Sequence, residues 1–331
     1  MSDTAMRIAV LGAGAWGTAL ASMLARKGYD TRLWGRDAGH VAAIAERGEN
    51  ARYLAGVKLP ANLTATANLD AAIDGAQLLL LVTPAQTIGP MAGMLRGRIT
   101  PALPVVLCAK GIDRETGSLP AARLLADLPG QSVAALSGPS FAQDVVRDLP
   151  TAVTLAHEDA GEARRLAAIV SGSNFRVYDS SDLKGVELGG ALKNVIALAV
   201  GVCRGMRLGA SAEAALIARG FAELTRLAAA LGARPQTLMG LSGLGDLVLT
   251  CSGTQSRNFT YGLAIGEGRQ TQGLPLAEGA LTAAVAARLA GERAIEAPVI
   301  SAVAKLVEGA ISPEAALKEL LARPLRSESE E

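Results

Sequence analysis

Arg7-Ile-Ala-Val-Leu-Gly-Ala-Gly-Ala-Trp-Gly17 decides the fold class of this chain. A short apolar stretch of strand character runs into glycines spaced G-x-G-x-x-G, and a helical pattern follows from Thr18 to Lys27. In a strand, turn and helix unit each glycine has its own task. Gly12 permits the tight turn, Gly14 lets backbone amides approach a pyrophosphate, and Gly17 lets helix and strand pack closely. The phosphate then lies at the helix N-terminus, where unpaired N–H groups and the helix dipole favour negative charge. Isolated glycines would mark turns only; in this context they predict a dinucleotide site.

Further strand patterns follow. Thr31–Trp34 ends in Gly35-Arg36-Asp37, where an NAD-specific fold often carries an acid for the ribose hydroxyls. Arg36 comes first here and suits the 2′-phosphate of NADP, while Asp37 suits a helix cap, so NADP or use of both cofactors is expected. Leu78–Val82 is a continuous apolar run of the kind buried on both faces of a parallel sheet, and Pro104–Cys108 is a second, ending in Ala109-Lys110-Gly111. Open α/β sheets bind ligands at the C-terminal ends of their strands, which makes Lys110 a candidate; a solvated strand-end charge is its alternative. Val133–Leu136 leads into the turn Ser137-Gly-Pro-Ser-Phe-Ala142, where Gly138 and Pro139 fix the backbone and Ser140 offers a hydroxyl. Thr151–Ala156 and Asn174–Tyr178, with a helix over Glu158–Ser171 between them, complete the strand patterns.

After about Ser181 the strand signal ends, and an alanine- and leucine-rich chain with helical spacing continues, broken near Gly205, Pro235, Gly253, Gly273 and Pro298. The expectation is an α/β architecture: a doubly wound Rossmann-type dinucleotide-binding domain over 1–181 and an all-α substrate domain over 182–331. There is no internal repeat, and Arg326–Glu331 reads as a frayed polar end.

The 331 residues suit two domains with sizeable cores. A formal net charge of +1 gives no electrostatic argument for nucleic acid or an anionic membrane, so anion binding must be local. Aromatic residues make up 3% of the chain, which also argues against stacking on exposed bases. The uninterrupted apolar runs fall short of the ~18 residues of a membrane span, and no membrane insertion is expected. Met1–Met6 is polar and runs straight into a strand, so no leader is expected. Cys108, Cys203 and Cys251 are scattered and lack CxxC spacing. That points to the cytoplasm and away from a disulfide framework or a metal site.

Chemistry is sought where a charge sits in an unfavourable place. Lys184–Gly201 puts Lys193 and Asn194 inside a small-residue apolar segment; as a helix it brings Val186, Gly189, Gly190, Lys193, Ile196, Ala197 and Val200 close to one face. Glycines there admit a ligand or a second helix, and a desolvated ammonium has its pKa pushed down into the range of a proton donor and acceptor. The plainer reading is a lysine that snorkels to water. The chain uses arginine for most of its positive charge, so a lysine kept here suggests a site where a permanent charge would fail. His40 and His157 lie in polar helix-start contexts and read as surface residues, and no tyrosine is followed by lysine four positions on. Lysine remains as the proton partner that a nicotinamide-dependent reaction needs, Lys193 ahead of Lys110. Asp246, on a glycine-rich turn within the stretch Leu241–Thr250, suits either orienting that lysine or capping the next helix. Ser256-Arg257-Asn258 opens another helix pattern and, unless Arg257 is merely solvated, makes an anion cradle. With Lys110 it suggests a phosphorylated small-molecule substrate.

In order along the chain, Gly12-Ala-Gly-Ala-Trp-Gly17, Ala109-Lys-Gly-Ile112, Gly138-Pro-Ser-Phe-Ala142, Leu192-Lys-Asn-Val195, Gly243-Leu-Gly-Asp-Leu247 with Thr250, and Ser256-Arg-Asn258 resemble the bacterial NAD(P)-dependent glycerol-3-phosphate dehydrogenases over nearly the full length. The resemblance implies interconversion of sn-glycerol 3-phosphate and dihydroxyacetone phosphate, feeding phospholipid synthesis. It implies that Lys193 is the proton donor or acceptor at C2, with Lys110, Asn194, Asp246, Thr250 and Arg257 around substrate and cofactor. It also places Trp16, Arg36, Ala142 and Glu278 on the dinucleotide. One departure is Gln143-Asp144, where the family often has a basic and then an acidic residue. A homodimer is entertained as the assembly. The rival readings are a related dehydrogenase acting on a hydroxy acid and a non-catalytic NAD(P)-binding sensor. A sensor would not need Lys110, Lys193, Asp246 and Arg257 together.

Overall fold

The computed structural model describes residues 5–323, so the polar end Arg326–Glu331 and most of the N-terminal segment Met1–Met6 lie outside the described residues. Two units divide the chain: Met1–Ala109 with Pro120–Leu183, and Lys110–Leu119 with Lys184–Glu331. Lys110–Leu119 groups with the helical unit although it lies between two strands of the sheet in sequence. Ile112, fully buried in the helical core, accounts for this.

The first unit runs β1 (Arg7–Leu11), α1 (Ala15–Arg26), β2 (Asp30–Trp34), α2 (Ala38–Arg47), β3 (Leu63–Thr66), α3 (Leu69–Ile73), β4 (Leu78–Leu81) and α4 (Ile88–Leu95). It continues with β5 (Val105–Leu107), α5 (Pro120–Asp127), β6 (Val133–Ser137), α6 (Ala142–Val146), β7 (Thr151–His157), α7 (Ala160–Val170) and β8 (Phe175–Ser180). The eight strands order as β3-β2-β1-β4-β5-β6-β7-β8, with every neighbouring pair parallel except β6 and β7. Strand order reverses between β1 and β4, the switch point at which such sheets take their ligands. The four leucines of β4 are fully buried, as expected of a central strand covered on both faces. β3 was not among the expected strands. Leu63-Thr-Ala-Thr66 lies at the sheet edge, pairs only with β2 among the described residues, and lacks a continuous apolar run.

The second unit carries α8 (Leu183–Gly205), α9 (Ala210–Ala230), α10 (Pro235–Leu238), α11 (Asp246–Cys251), α12 (Arg257–Gly266), α13 (Glu278–Glu292), α14 (Pro298–Val307) and α15 (Pro313–Leu321). α8 is long and apolar enough to cross a bilayer, but its apolar window is entirely buried inside the protein. It is therefore the unit's central helix, covered all round, where its sequence suggested a single ligand-facing side. Glycines set its contact with α12. A Cβ on Gly201 would lie 2.1 Å from the Phe259 carbonyl oxygen, and one on Gly262 would lie 2.0 Å from that of Leu198. Gly205 and Gly266 repeat the arrangement one turn on, so the two backbones meet with no side chain between them.

Candidate active site

In the sheet unit the glycine loop has the form that its sequence requires. Gly12 has φ of +133°, and a Cβ there would lie 2.2 Å from the Val82 carbonyl oxygen. A Cβ on Gly17 would lie 1.8 Å from the Gly12 carbonyl oxygen. Gly14 differs: nothing lies within 4 Å of where its Cβ would stand, and it occupies the N-cap of α1 with no side chain capping the helix. An open, uncapped helix N-terminus over a glycine fits a pyrophosphate.

No local pattern announces what holds this loop. Asn50, fully buried, donates from Nδ2 to the Ala13 carbonyl at 3.1 Å and to Thr18 Oγ1 at 2.7 Å. His40, expected at the surface, is half-buried with Nε2 3.3 Å from the same carbonyl and its ring edge-on to Tyr53.

Arg36 is exposed just beyond β2, whereas Asp37 accepts from the His40 amide at 3.0 Å and caps α2. Trp16 lies in the first turn of α1 with its ring 6.4 Å from that of Phe175. Gly138 follows β6 with φ of +146° and Val153 Cα 2.8 Å from where a Cβ would be. Ser140 donates its hydroxyl to the Gly138 carbonyl at 3.0 Å, and Ala142 begins α6.

The helical unit gathers the charged candidates. Lys193 projects from the middle of α8 and is 5% exposed, so it does not snorkel. Its ammonium lies 2.9 Å from Asp246 Oδ1 and also donates to Thr250 Oγ1. Thr250 in turn donates its hydroxyl to the Asp246 carbonyl at 2.6 Å. Lys110 Nζ takes the other carboxylate oxygen, Oδ2, at 2.7 Å. One buried carboxylate thus holds two ammonium groups.

Asp246 stands where the π-helical turn Leu241–Gly245 passes into α11. A Cβ on Gly243 would lie 2.0 Å from the Leu238 carbonyl oxygen, and one on Gly189 of α8 would lie 2.8 Å from that of Ser242. Glycine at both places lets the turn close against α8 and brings the carboxylate within reach of Lys193.

Electrostatics follow from this burial. Desolvation lowers the Lys193 pKa to about 8, against the opposing attraction of Asp246. Burial would raise the Asp246 pKa, but Lys110 and Lys193 together hold it below the ordinary carboxylate value. Two of the three N–H bonds of Lys193 are occupied, and the third has no partner among the described residues. The cluster therefore presents one exchangeable proton, near neutral pH, on an amine of fixed position. Cys251 close by is inert, its thiol pushed up to about 12 by burial.

Asn194 and Asn258 are buried in the same unit and hydrogen-bonded to each other. Ser256 caps α12 by accepting from the Phe259 amide at 3.2 Å, while Arg257 at the first helical position is exposed. Glu278 begins α13. Lys110, Lys193, Asn194, Asp246, Thr250, Ser256, Arg257, Asn258 and Glu278 all belong to the helical unit; Gly12, Gly14, Trp16, Gly17, Arg36, Gly138, Ser140 and Ala142 belong to the sheet unit.

Residues 7–163 match the family model described as the NAD-dependent glycerol-3-phosphate dehydrogenase N-terminus, and residues 182–318 match that of the C-terminus. A glycerol-3-phosphate dehydrogenase [NAD(P)+] of Mesorhizobium japonicum is 54% identical over 98% of this chain and 94% of its own length. That of Brucella abortus is 53% identical over 97% and 99% respectively. The crystal structure of glycerol-3-phosphate dehydrogenase from Coxiella burnetii superposes with a TM-score of 0.92 at 38% identity, covering 96% of this chain and 99% of that one.

Proposed function

The chain belongs to the NAD-dependent glycerol-3-phosphate dehydrogenase family, and from that premise we propose how its residues divide the work. It interconverts sn-glycerol 3-phosphate and dihydroxyacetone phosphate with NAD or NADP, a reaction that supplies phospholipid synthesis.

In our assignment Lys193 gives its spare proton to the C2 oxygen of dihydroxyacetone phosphate during reduction and takes it back during oxidation. The observation that carries this is the third N–H of Lys193, left over on a buried amine whose other two are held by Asp246 and Thr250. Asp246 orients that amine and offsets its charge. Lys110, on the opposite carboxylate oxygen, balances Asp246 so that the carboxylate does not take the proton. The phosphate of the substrate sits on Arg257 and on the first backbone amides of α12, beside Ser256 and Asn258, with Asn194, Gly138 and Ser140 completing the substrate contacts.

When bound, a nicotinamide cofactor would supply or accept the hydride at C2. The dinucleotide would be held by the Gly12, Gly14 and Gly17 loop with Trp16, Arg36, Ala142, Lys110, Arg257 and Glu278. Arg36 meets the 2′-phosphate of NADP. We assign residues 1–181 to the dinucleotide-binding domain and 182–331 to the substrate domain, with Lys110–Leu119 grouped with the latter. We place the enzyme in the cytoplasm, supported by three buried cysteines that form no disulfide, and as a homodimer.

Steady-state turnover of dihydroxyacetone phosphate with NADH and NADPH side by side tests this. Oxidation of either cofactor is expected, and a preference for a 2-keto acid over the phosphate ester would overturn the assignment.

A further inference from the structure

Just past the end of β2 one carboxylate divides its two oxygens between a helix and a cation. Asp37 Oδ1 accepts from the His40 amide at 3.0 Å and caps α2. Its Oδ2 lies 3.5 Å from Arg52 Nη1. The His40 amide first, and Arg52 after it, hold the Asp37 pKa below the ordinary carboxylate value, so the group stays charged at neutral pH. Arg36, the preceding residue, is exposed and makes no ion pair among the described residues.

Arg52 stands here because its turn is fixed. Asn50 ties the start of that turn to the glycine loop through the Ala13 carbonyl and to Thr18, and its own carbonyl accepts from the Tyr53 amide at 3.2 Å and the Leu54 amide at 2.8 Å. Leu54 is fully buried in the core of the sheet unit, while Arg52 and Tyr53 beside it are exposed. The Arg52 guanidinium carbon lies 5.3 Å from the centre of the Tyr53 ring, and that ring meets His40 edge-on. A second arginine is thus carried beside the end of β2 by the same residue that holds the glycine loop.

An exposed ion pair contributes little, so Arg52 is exchangeable. A phosphate monoester carries about two charges where Asp37 carries one, and a guanidinium binds phosphate oxygens in a bidentate fork. Asp37 repels such a dianion, yet its remaining lone pairs suit the hydroxyls of a ribose that lacks the phosphate. The carboxylate therefore favours NAD in two ways: it accepts from hydroxyls, and it keeps Arg52 occupied.

We propose that Arg52 is a second cation of the 2′-phosphate subsite and that Asp37 sets the balance between the two cofactors by competing with that phosphate for Arg52. The inference rests on the assignment of Arg36 to the 2′-phosphate given above.

The test measures dissociation constants of NADH and NADPH for the full-length protein by titrating nicotinamide fluorescence, with no substrate present. Asp37→Asn removes the charge but keeps the cap, because asparagine serves at that position as well as aspartate. NADPH should bind about fivefold or more tighter and NADH about threefold or more weaker. Arg52→Gln should weaken NADPH about fivefold or more and leave NADH within about twofold. In the Arg52→Gln background the NADPH gain from Asp37→Asn should shrink to less than about twofold, because the two residues act through one contact. Asp37→Ser, which also caps, replaces the asparagine variant if that one does not fold. A cofactor ratio unchanged by Asp37→Asn, equal losses of both cofactors in Arg52→Gln, or the same gain in both backgrounds would each overturn the proposal. Unchanged NADPH binding by Arg36→Ala would instead sink the assignment beneath it.

Discussion

Lys193 Nζ lies 2.9 Å from Asp246 Oδ1, with both residues almost wholly buried. A lone ammonium at that depth would discard its proton, and a lone carboxylate would acquire one. Together they remain an ion pair, and the second lysine on Asp246 leaves the cluster with net positive charge. Desolvation first, and the repulsion from Lys110 after it, keep the Lys193 proton loosely held, and the positive excess suits the cluster to an oxygen that gains negative charge as hydride arrives.

The pH profile should show this. With the Lys193 pKa lowered to about 8, kcat/KM for reduction, which needs the ammonium, should fall as pH rises through about 8. For oxidation, which needs the free amine, it should rise through the same region. Initial rates in both directions across pH 6 to 10 check the opposite signs; limbs of the same sign would assign the titration to another group.

Asp246→Asn removes the attraction that opposes desolvation of Lys193 and leaves Lys110 to repel it. The alkaline limb of reduction should move to lower pH. Breaking a buried pair by removing one partner costs about 3–5 kcal/mol, so the urea midpoint should fall as well. A variant with unchanged midpoint and unchanged limb would show that Asp246 does not hold the lysines in solution.

Gly262→Ala should destabilise the protein although alanine is the better helix former by about 1 kcal/mol. Its Cβ would enter the Leu198 carbonyl, and forcing atoms into a packed contact costs about 1–3 kcal/mol or more. Gly93→Ala on α4, with nothing within 4 Å of the new carbon, should be neutral or slightly stabilising. Denaturant midpoints of the two variants should shift in opposite directions, or only the first should shift.

Arg36→Ala should lower kcat/KM with NADPH about tenfold or more and leave NADH within about threefold, because a charge-assisted pair to the 2′-phosphate is lost only with the phosphorylated cofactor. Equal effects on the two cofactors would remove Arg36 from the 2′-phosphate.

Much of this was legible in the residues because local patterns carry it. Arg7–Gly17 specifies strand, turn and helix by itself, Leu78–Leu81 specifies a central strand, and a lysine amid the alanines, valines and leucines of α8 announces an unusual environment. What was not legible depends on residues far apart in the chain. Leu63–Thr66 is a strand only because β2 offers an edge. α8 looks one-sided by its spacing, yet Ser242 closes on Gly189, Asp246 on Lys193 and Gly220 on Ile196, so the side expected to admit a ligand is packed within the unit. Lys110 shares the carboxylate of a residue 136 positions away, and Asn194 and Asn258 are 64 apart. No local periodicity encodes either pairing.

The most direct measurement is turnover of dihydroxyacetone phosphate with saturating NADPH by Lys193→Arg, beside Lys193→Ala. A guanidinium keeps positive charge but does not give up its proton, so both variants should lose roughly a hundredfold or more in kcat. Near-normal turnover by the arginine variant would mean that the site needs only a charge there, and would contradict the proton role of Lys193.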